Sequence, residues 1–566
     1  TNGNRTADGL TINQSFDGDD DSLNINLDGQ DNPTDGTAPQ NGSITGGTVS
    51  VNGAESVIVN AENLQATSAD VLGTAKLNGL DSNDLESVTA ISEGNLDLGN
   101  VAGDTSGSDS SDSTLNSVDA TGVVGTFTAN LDGLTDSAVI DLGDGGSDVD
   151  LTSNTAAGNA SDNGGFLDVN GGSGADFVSA SRKGDVIDGG DGLDTVSFLA
   201  GGLAAPDGAG NAAAGIAVNL SSSSQTLTGM TVSGQSDIVA NSAAFLDASA
   251  GNSLNSTDQL NNVENVEGTT GADEIFGSDG DNTFFGTLGD DTYAGGGGSN
   301  TISFDNSSFS TGPDQLSING TAVVDGTTTP VPAEGLFVNV SGTESATAEV
   351  GTLTGLLGFG GTAEVALNSN AVAGGSAQAI FDAATMLNGN EFEDTLSGVS
   401  NIIGSAGEDV LVGNINQNRL DGGASQDVLV GGDSADTFVF NDIGDNDQIV
   451  ARNGTAADFV SGTDSIEISA KALNADTGND DFEAGDDISS VFESGEFSGG
   501  ANDMLTAAGE PAFIYDAQAG ELIFDVSGDT TASVGSFSAD TDDLKIVTLV
   551  GSTTPTLVAD DLSIIA

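Results

Sequence analysis

Short strings in which apolar and polar residues alternate recur along the whole chain. Leu23 to Leu27 reads LNINL, the stretch from Val57 reads VIVNA, and Leu336 to Val340 reads LFVNV. Such alternation puts one face of an extended chain inward and the other outward, so each string predicts a short β-strand. Gly, Asn and Asp, which turn the chain readily, bound the strings. The same texture fills the first 165 residues, in ESVIVNAENL, LNGLDSNDLESVTAI, GTFTANLDGL and SAVIDLGDGG. The pattern predicts an all-β fold.

Three stretches add a strict period of nine. From Gly171 the chain reads GGSGADFVS ASRKGDVID GGDGLDTVSF; from Gly268, GTTGADEIF GSDGDNTFF GTLGDDTYA GGGGSNTISF; from Gly404, GSAGEDVLV GNINQNRLD GGASQDVLV GGDSADTFVF. Position six holds Asp176, Asp185 and Asp194; then Asp273, Asn282, Asp291 and Asn300; then Asp409, Asn418, Asp427 and Asp436. Position eight is always large and apolar: Val178, Ile187, Val196; Ile275, Phe284, Tyr293, Ile302; Leu411, Leu420, Leu429, Phe438. Glycines recur at positions one and four, as Gly171, Gly174, Gly189, Gly192, Gly268, Gly271, Gly286, Gly289, Gly404, Gly407, Gly422 and Gly431. Self-similarity at a fixed period marks a repeat architecture.

The spacing has a physical meaning. A turn rich in Gly reverses the chain and points backbone carbonyls inward, and a short strand then buries position eight. Two nonapeptides complete one turn of an elongated right-handed parallel β-roll or β-helix solenoid, so loops n and n+2 stack on one edge. Carbonyls and position-six side chains from both loops then offer many hard oxygen donors, which suits Ca2+. The alternative reading is a flexible Gly/Asp-rich linker. The pattern resembles the RTX (repeats-in-toxin, haemolysin-type) calcium-binding repeat, and that resemblance implies this fold and ligand set.

Same-edge partners stand 18 residues apart. Asp176 pairs with Asp194, Asp273 with Asp291, and Asp409 with Asp427, each keeping two carboxylates. Asn418 pairs with Asp436, one charge fewer, and Asn282 with Asn300, where only carbonyl and amide oxygens remain beside neighbours such as Asp281. Calcium affinity falls with ligand charge, so the second block is expected to be strong on one edge and weak or empty on the other.

Composition narrows the partners. The 566 residues carry 8 Lys+Arg against 87 Asp+Glu, a formal net charge of −79. Such a body repels itself unless cations sit among its carboxylates. Nucleic acid is excluded as a partner, and so is a basic membrane-binding face. An acidic disordered polymer is the competing reading, but 24 Phe, only 8 Pro and the alternating strings oppose it. Cys, His and Trp are absent, which removes disulfides, thiolate sites and imidazole-ligated metals. No apolar run approaches the ~20 residues that span a bilayer. The chain opens TNGNRTADGL, without Met or an apolar leader, so a processed form or fragment is expected, with any export address elsewhere.

Between the blocks a larger unit repeats. TDQLNNVENVEGTTGAD from Thr257 aligns with EDTLSGVSNIIGSAGED from Glu393, and the strands GIAVNL from Gly215 and GLFVNV from Gly335 follow TVSF and TISF. The expected layout is a β-rich, surface-layer-like segment (1–165), repeat block one (166–200), insertion and returning strand (201–267), block two (268–305), insertion and returning strand (306–403), block three (404–440) and a C-terminal β region (441–566). The insertions read as loops or small β excursions. The string NGAESVIVNAENLQATSADVLGTAKLNGL resembles the Thr/Asn/Ser-rich rungs of bacterial RTX-secreted surface-layer proteins. The hairpin FIYDAQAGELIFD, through Phe513, Tyr515, Asp516, Gly520, Leu522 and Asp525, and the ending LVADDLSIIA resemble the tail of RTX proteins exported by the type I route. That likeness implies an uncleaved C-terminal secretion signal. Both ends of the chain are β-patterned, with no obvious helical or basic cap.

No active site is expected. Without His there is neither a His-Glu-x-x-His zinc helix nor a Ser-His-Asp triad. Paired carboxylates for glycoside hydrolysis abound, but no Trp and only two Tyr are present to line a sugar cleft. The sequence therefore reads as a secreted, calcium-dependent structural protein of the cell surface, self-assembling as a surface layer, matrix or filament. Its expected partners are calcium, further copies of itself and cell-surface polysaccharide. The alternatives are a calcium-stabilised adhesin and the export region of a larger secreted protein.

Overall fold

In the computed structural model the chain forms two units, Thr1–Gly280 and Asp281–Ala566. The first is described over residues 5–6, 10–12, 21–28, 44–51, 54–62, 64, 73–82, 84–102, 114–132, 134–152, 167–181, 184–199, 215–227, 237–247, 253–269 and 271–280. The second is described over 281–287, 291–305, 317–318, 321–322, 336–340, 363–367, 394–405, 409–443, 447–450, 459–477, 482–486, 489, 492–495, 512–517, 520–525, 543–550 and 556–565. Nearly every described element is a strand, and the long sheets are parallel: the fold is a parallel β-roll solenoid.

In the first unit successive strands alternate between two sheets. One runs through Asn95–Ala102, Phe127–Asp132, Ser147–Asp150, Asp176–Ser179, Thr195–Ser197 and Asn265–Glu267, each parallel to the next. The other runs through Ser22–Asp28, Ser56–Glu62, Ser87–Ser92, Leu115–Val123, Leu134–Asp141, Asp168–Asn170, Val186–Asp188 and Ser253–Asn261. The sheets pass from the early strands into the repeat without a break, since Val149 aligns with Val178 and Val178 with Val196. The predicted strings LNINL and VIVNA are strands in matched register, Leu23 against Val57 and Ile25 against Val59.

The second unit repeats this plan. Thr283–Phe285, Asn300–Ser303, Val399–Ile403, Arg419–Asp421, Thr437–Phe440, Ser465–Ser469 and Leu562–Ile565 form one parallel sheet. Position-eight side chains of all three blocks are buried, Phe284 and Tyr293 with ring centroids 5.8 Å apart. Burying a side chain of this size is worth about 1.5–3 kcal/mol.

Each insertion adds antiparallel strands to the second sheet, which apart from these and the C-terminal hairpin is parallel. In the first unit Ser242–Asp247 lies antiparallel between Ile216–Asn219 and Ser253–Asn261, and Ile216–Asn219 runs parallel to Glu274–Phe276. In the second unit Ala363–Leu367 lies antiparallel between Leu336–Asn339 and Asp394–Ser397, and Leu336–Asn339 runs parallel to Val410–Val412. The described parts of the insertions are thus small β excursions built to one plan. The hairpin read from the C-terminal sequence is present, Ala512–Asp516 against Glu521–Asp525, with Gly520 at φ +74° in its turn. Its second strand pairs with Asp543–Val550, which joins the coil beside Asp447–Val450. A helix, Ala470–Thr477, was not foreseen. Ser469 accepts at its first turn from Ala472 N–H, and beyond it Gly485 N–H donates to Ile564 O on the outermost strand. Among the described residues no helix is long and apolar enough to cross a membrane.

Candidate metal sites along the coil

Position six is buried in all three blocks, with Asp185, Asn300, Asp409 and Asp427 showing no exposed surface. Strand alternation explains this, because positions six and eight face the same side. The 18-residue spacing of same-edge partners appears directly as hydrogen bonds. Asp176 N–H donates to Asp194 Oδ1 at 2.8 Å, Asp409 N–H to Asp427 Oδ1 at 2.7 Å, Asn418 N–H to Asp436 Oδ1 at 2.9 Å, and Asn282 N–H to Asn300 Oδ1 at 2.9 Å. Asp273 and Asp291 belong to different units. Gly289 and Gly407 lie outside the described residues.

In several loops a second contact closes the loop on itself. Gly172 N–H donates to Asp176 Oδ2 at 3.1 Å, Ser181 N–H to Asp185 Oδ2 at 3.1 Å, and Thr269 N–H to Asp273 Oδ2 at 2.6 Å. Position six thus satisfies buried backbone donors of its own loop and of the preceding coil, a task the repeat pattern alone did not reveal.

The ladder extends beyond the nonapeptides. Asp185 N–H donates to Asp258 Oδ1 and Asp194 N–H to Glu264 Oε2; Asp291 N–H donates to Asp394 Oδ1, Asp427 N–H to Asp447 Oδ1 and Asp436 N–H to Asp464 Oδ1, at 2.8–3.0 Å. The sequence reading missed these five acids because they lack a Gly-rich loop. A signal was present all the same: each stands two residues before a buried apolar side chain, Leu260, Val266, Leu396, Ile449 or Ile466.

At several position-one glycines the loops stack too closely for a side chain. A Cβ on Gly171 would lie 1.9 Å from Gly189 O and 2.7 Å from Asp176 Oδ2; one on Gly404 would lie 2.3 Å from Gly422 O and 2.4 Å from Asp409 Oδ2. In the first block a small cavity is lined by Gly171, Asp176, Gly189 and Asp194. Asp194 Oδ2 and Asp258 Oδ2 are buried without a hydrogen-bond partner. Among the described residues no three acidic side chains converge on one point, so a cation here would draw on backbone carbonyls as well. An all-oxygen donor set with unpaired buried carboxylate oxygens fits a calcium ion.

Without a cation these carboxylates resist ionisation. Burial pushes Asp194 up to about 7, with Asp176, Glu264 and Asp188 adding repulsion against one hydrogen bond from Asp176 N–H. Burial also raises Asp176, and raises Asp258 with help from Asp185. A carboxyl whose folded pKa lies above its unfolded value contributes stability below the unfolded value, and that stability is lost as pH rises through the folded one. In chelator, lowering pH from 8 to 5.5 is therefore expected to increase β-sheet circular dichroism. A decrease would contradict the assignment.

Surface ion pairs contribute little to the charge problem. Lys76–Asp97, Arg419–Glu467 and Lys545–Glu521 are partly exposed pairs, worth about 0–1 kcal/mol each.

A family model described as four copies of the RTX calcium-binding nonapeptide repeat matches the chain in three places, over residues 170–202, 267–302 and 401–439. No curated protein matches the chain. The matched residues are the three blocks whose loops stack in the structure, and repeats of this kind bind Ca2+.

Proposed function

We propose that this RTX-type repeat protein is an extracellular structural protein, folded by calcium and assembled at the cell surface as a surface-layer or matrix component. The observation that carries the reading is the run of buried position-six oxygens within each unit, in a chain of net charge −79. A ladder of buried carboxylates is tolerable only when cations or protons neutralise it, and extracellular calcium sites work at about 10⁻⁴–10⁻³ M. On this reading Asp176 with Asp194, and Asp409 with Asp427, hold calcium together with carbonyls of their glycine loops. The absence of His and Trp, with only two Tyr, argues against a catalytic head. The hairpin through Phe513 and Asp525 supports type I export.

Assembly supplies the test. Chelated protein is expected to be monomeric by light scattering, and millimolar calcium to give sheets or filaments in negative stain. Sodium chloride screens charge but cannot rebuild a coordination shell, so it should not substitute. Isolated monomers at millimolar calcium would overturn the surface-layer reading in favour of an adhesin.

A further inference from the structure

We propose that the seam where the chain rejoins the second unit's coil is closed by asparagine amides in place of calcium. The proposal rests on the reading that calcium closes the carboxylate rungs. The returning strand Val399–Ile403 lies between Asn300–Ser303 and Arg419–Asp421, with Val399 beside Asn300 and Ile402 beside Leu420. At this rung the coil offers Val399 and Ser400 where other rungs offer the carboxylate or amide oxygen of Asp, Asn or Glu. A cation there would find carbonyls but no carboxylate from this strand.

Three consecutive carbonyls at the entry to this strand, from Gly398 just before it to Ser400, instead accept from three Asn side chains. Asn300 Nδ2 donates to Gly398 O at 2.9 Å, Asn414 Nδ2 to Val399 O at 3.2 Å, and Asn418 Nδ2 to Ser400 O at 2.6 Å. Asn300 Nδ2 also donates to Gly297 O in its own loop at 2.8 Å. The amide orientations are fixed from the other side, since each Oδ1 accepts a backbone N–H: Asn282 onto Asn300, Asn416 onto Asn414, and Asn414 onto Asn418. All three side chains are buried. A carboxylate in these places would face carbonyl oxygens with nothing to donate, and would need a cation between them. The amide gathers the same oxygens permanently and without charge. Asn at positions 300 and 418 is therefore a functional replacement rather than a decayed calcium ligand. It secures the rung where the chain re-enters the coil after the insertion between Phe304 and Asp394.

Hydrogen exchange on the intact chain tests this, comparing peptides over 399–403 and 419–421 with a reference edge, 410–412 and 428–430. In chelator the wild-type seam should keep at least about tenfold more protection than the reference edge, as unbroken buried hydrogen bonds would give. N300D/N418D should lose that excess in chelator and recover it in millimolar calcium. N300A/N418A should lose it at every calcium concentration. A wild-type seam that follows calcium as steeply as the reference would overturn the proposal while leaving the calcium reading intact, and so would unchanged protection in N300A/N418A. A reference edge indifferent to calcium would overturn the calcium reading itself, and with it the idea that amides replace the ion.

Discussion

Chelating calcium is expected to remove most of the β-sheet circular dichroism of this protein, and millimolar calcium to restore it. The side chains at position six are buried within the coil, and the second oxygens of Asp194 and of the ladder acid Asp258 find no donor. With a net charge of −79 the surrounding chain cannot supply compensating cations of its own. Burying an uncompensated carboxylate costs several kcal/mol even after relaxation, and a domain's whole stability is only about 5–15 kcal/mol. A few such groups are enough to unfold the carboxylate-closed coils. Because each coil touches only its neighbours, the loss should spread from rung to rung and leave the amide-closed seam of the second unit as its most protected part. Magnesium should restore little, since it demands a tight octahedral shell and keeps its waters. An unchanged spectrum in chelator at pH 8 would remove the basis of the account.

The second large effect should follow removal of a single mid-ladder carboxylate. Asp427 accepts from Asp409 N–H at 2.7 Å, while its own N–H donates to Asp447 Oδ1 at 2.8 Å, so it joins three coils. Asp427→Ala strands the buried Asp409 N–H, a loss of about 1–3 kcal/mol at saturating calcium. It also halves the carboxylate count of its pair, so the calcium needed for half-folding should rise roughly tenfold or more. Asp433 in the same block is an exposed loop acid, and Asp433→Ala should change stability by less than about 0.5 kcal/mol. Calcium titrations of both variants, followed by circular dichroism and then urea unfolding at saturation, separate the two contributions. Equal effects would mean that bulk charge, and not the ladder, sets the response.

Much of this was legible in the sequence because the coil writes its geometry locally. Position six and position eight differ by two residues and so share a face, and the turn between strands is written in glycine. That is enough to predict the register of Val178 on Val196 and of Leu411 on Leu429. The hairpin through Tyr515 and Leu522 was equally readable, since a tight turn and two alternating strands are local features. The ladder members Asp258, Glu264, Asp394, Asp447 and Asp464 were not, because only the fold stacks them on residues as much as 103 positions away. The antiparallel strands Ser242–Asp247 and Ala363–Leu367 escaped for a similar reason: their pairing is set by flanking strands of the coil. The asparagines at 300 and 418 looked like weakened ligands until the direction of their amides was visible. The partner of Asn300 on the returning strand lies 98 residues along the chain.

The central claim is that calcium binding and folding of the coil are one process. Equilibrium dialysis of the intact chain against radioactive calcium, with circular dichroism read on the same samples, tests it most directly. Several ions are expected to bind per chain, with bound calcium and β-sheet signal rising together, steeply, over the same range of free calcium. A full β-sheet signal with no calcium bound, or calcium bound with no change in signal, would contradict it.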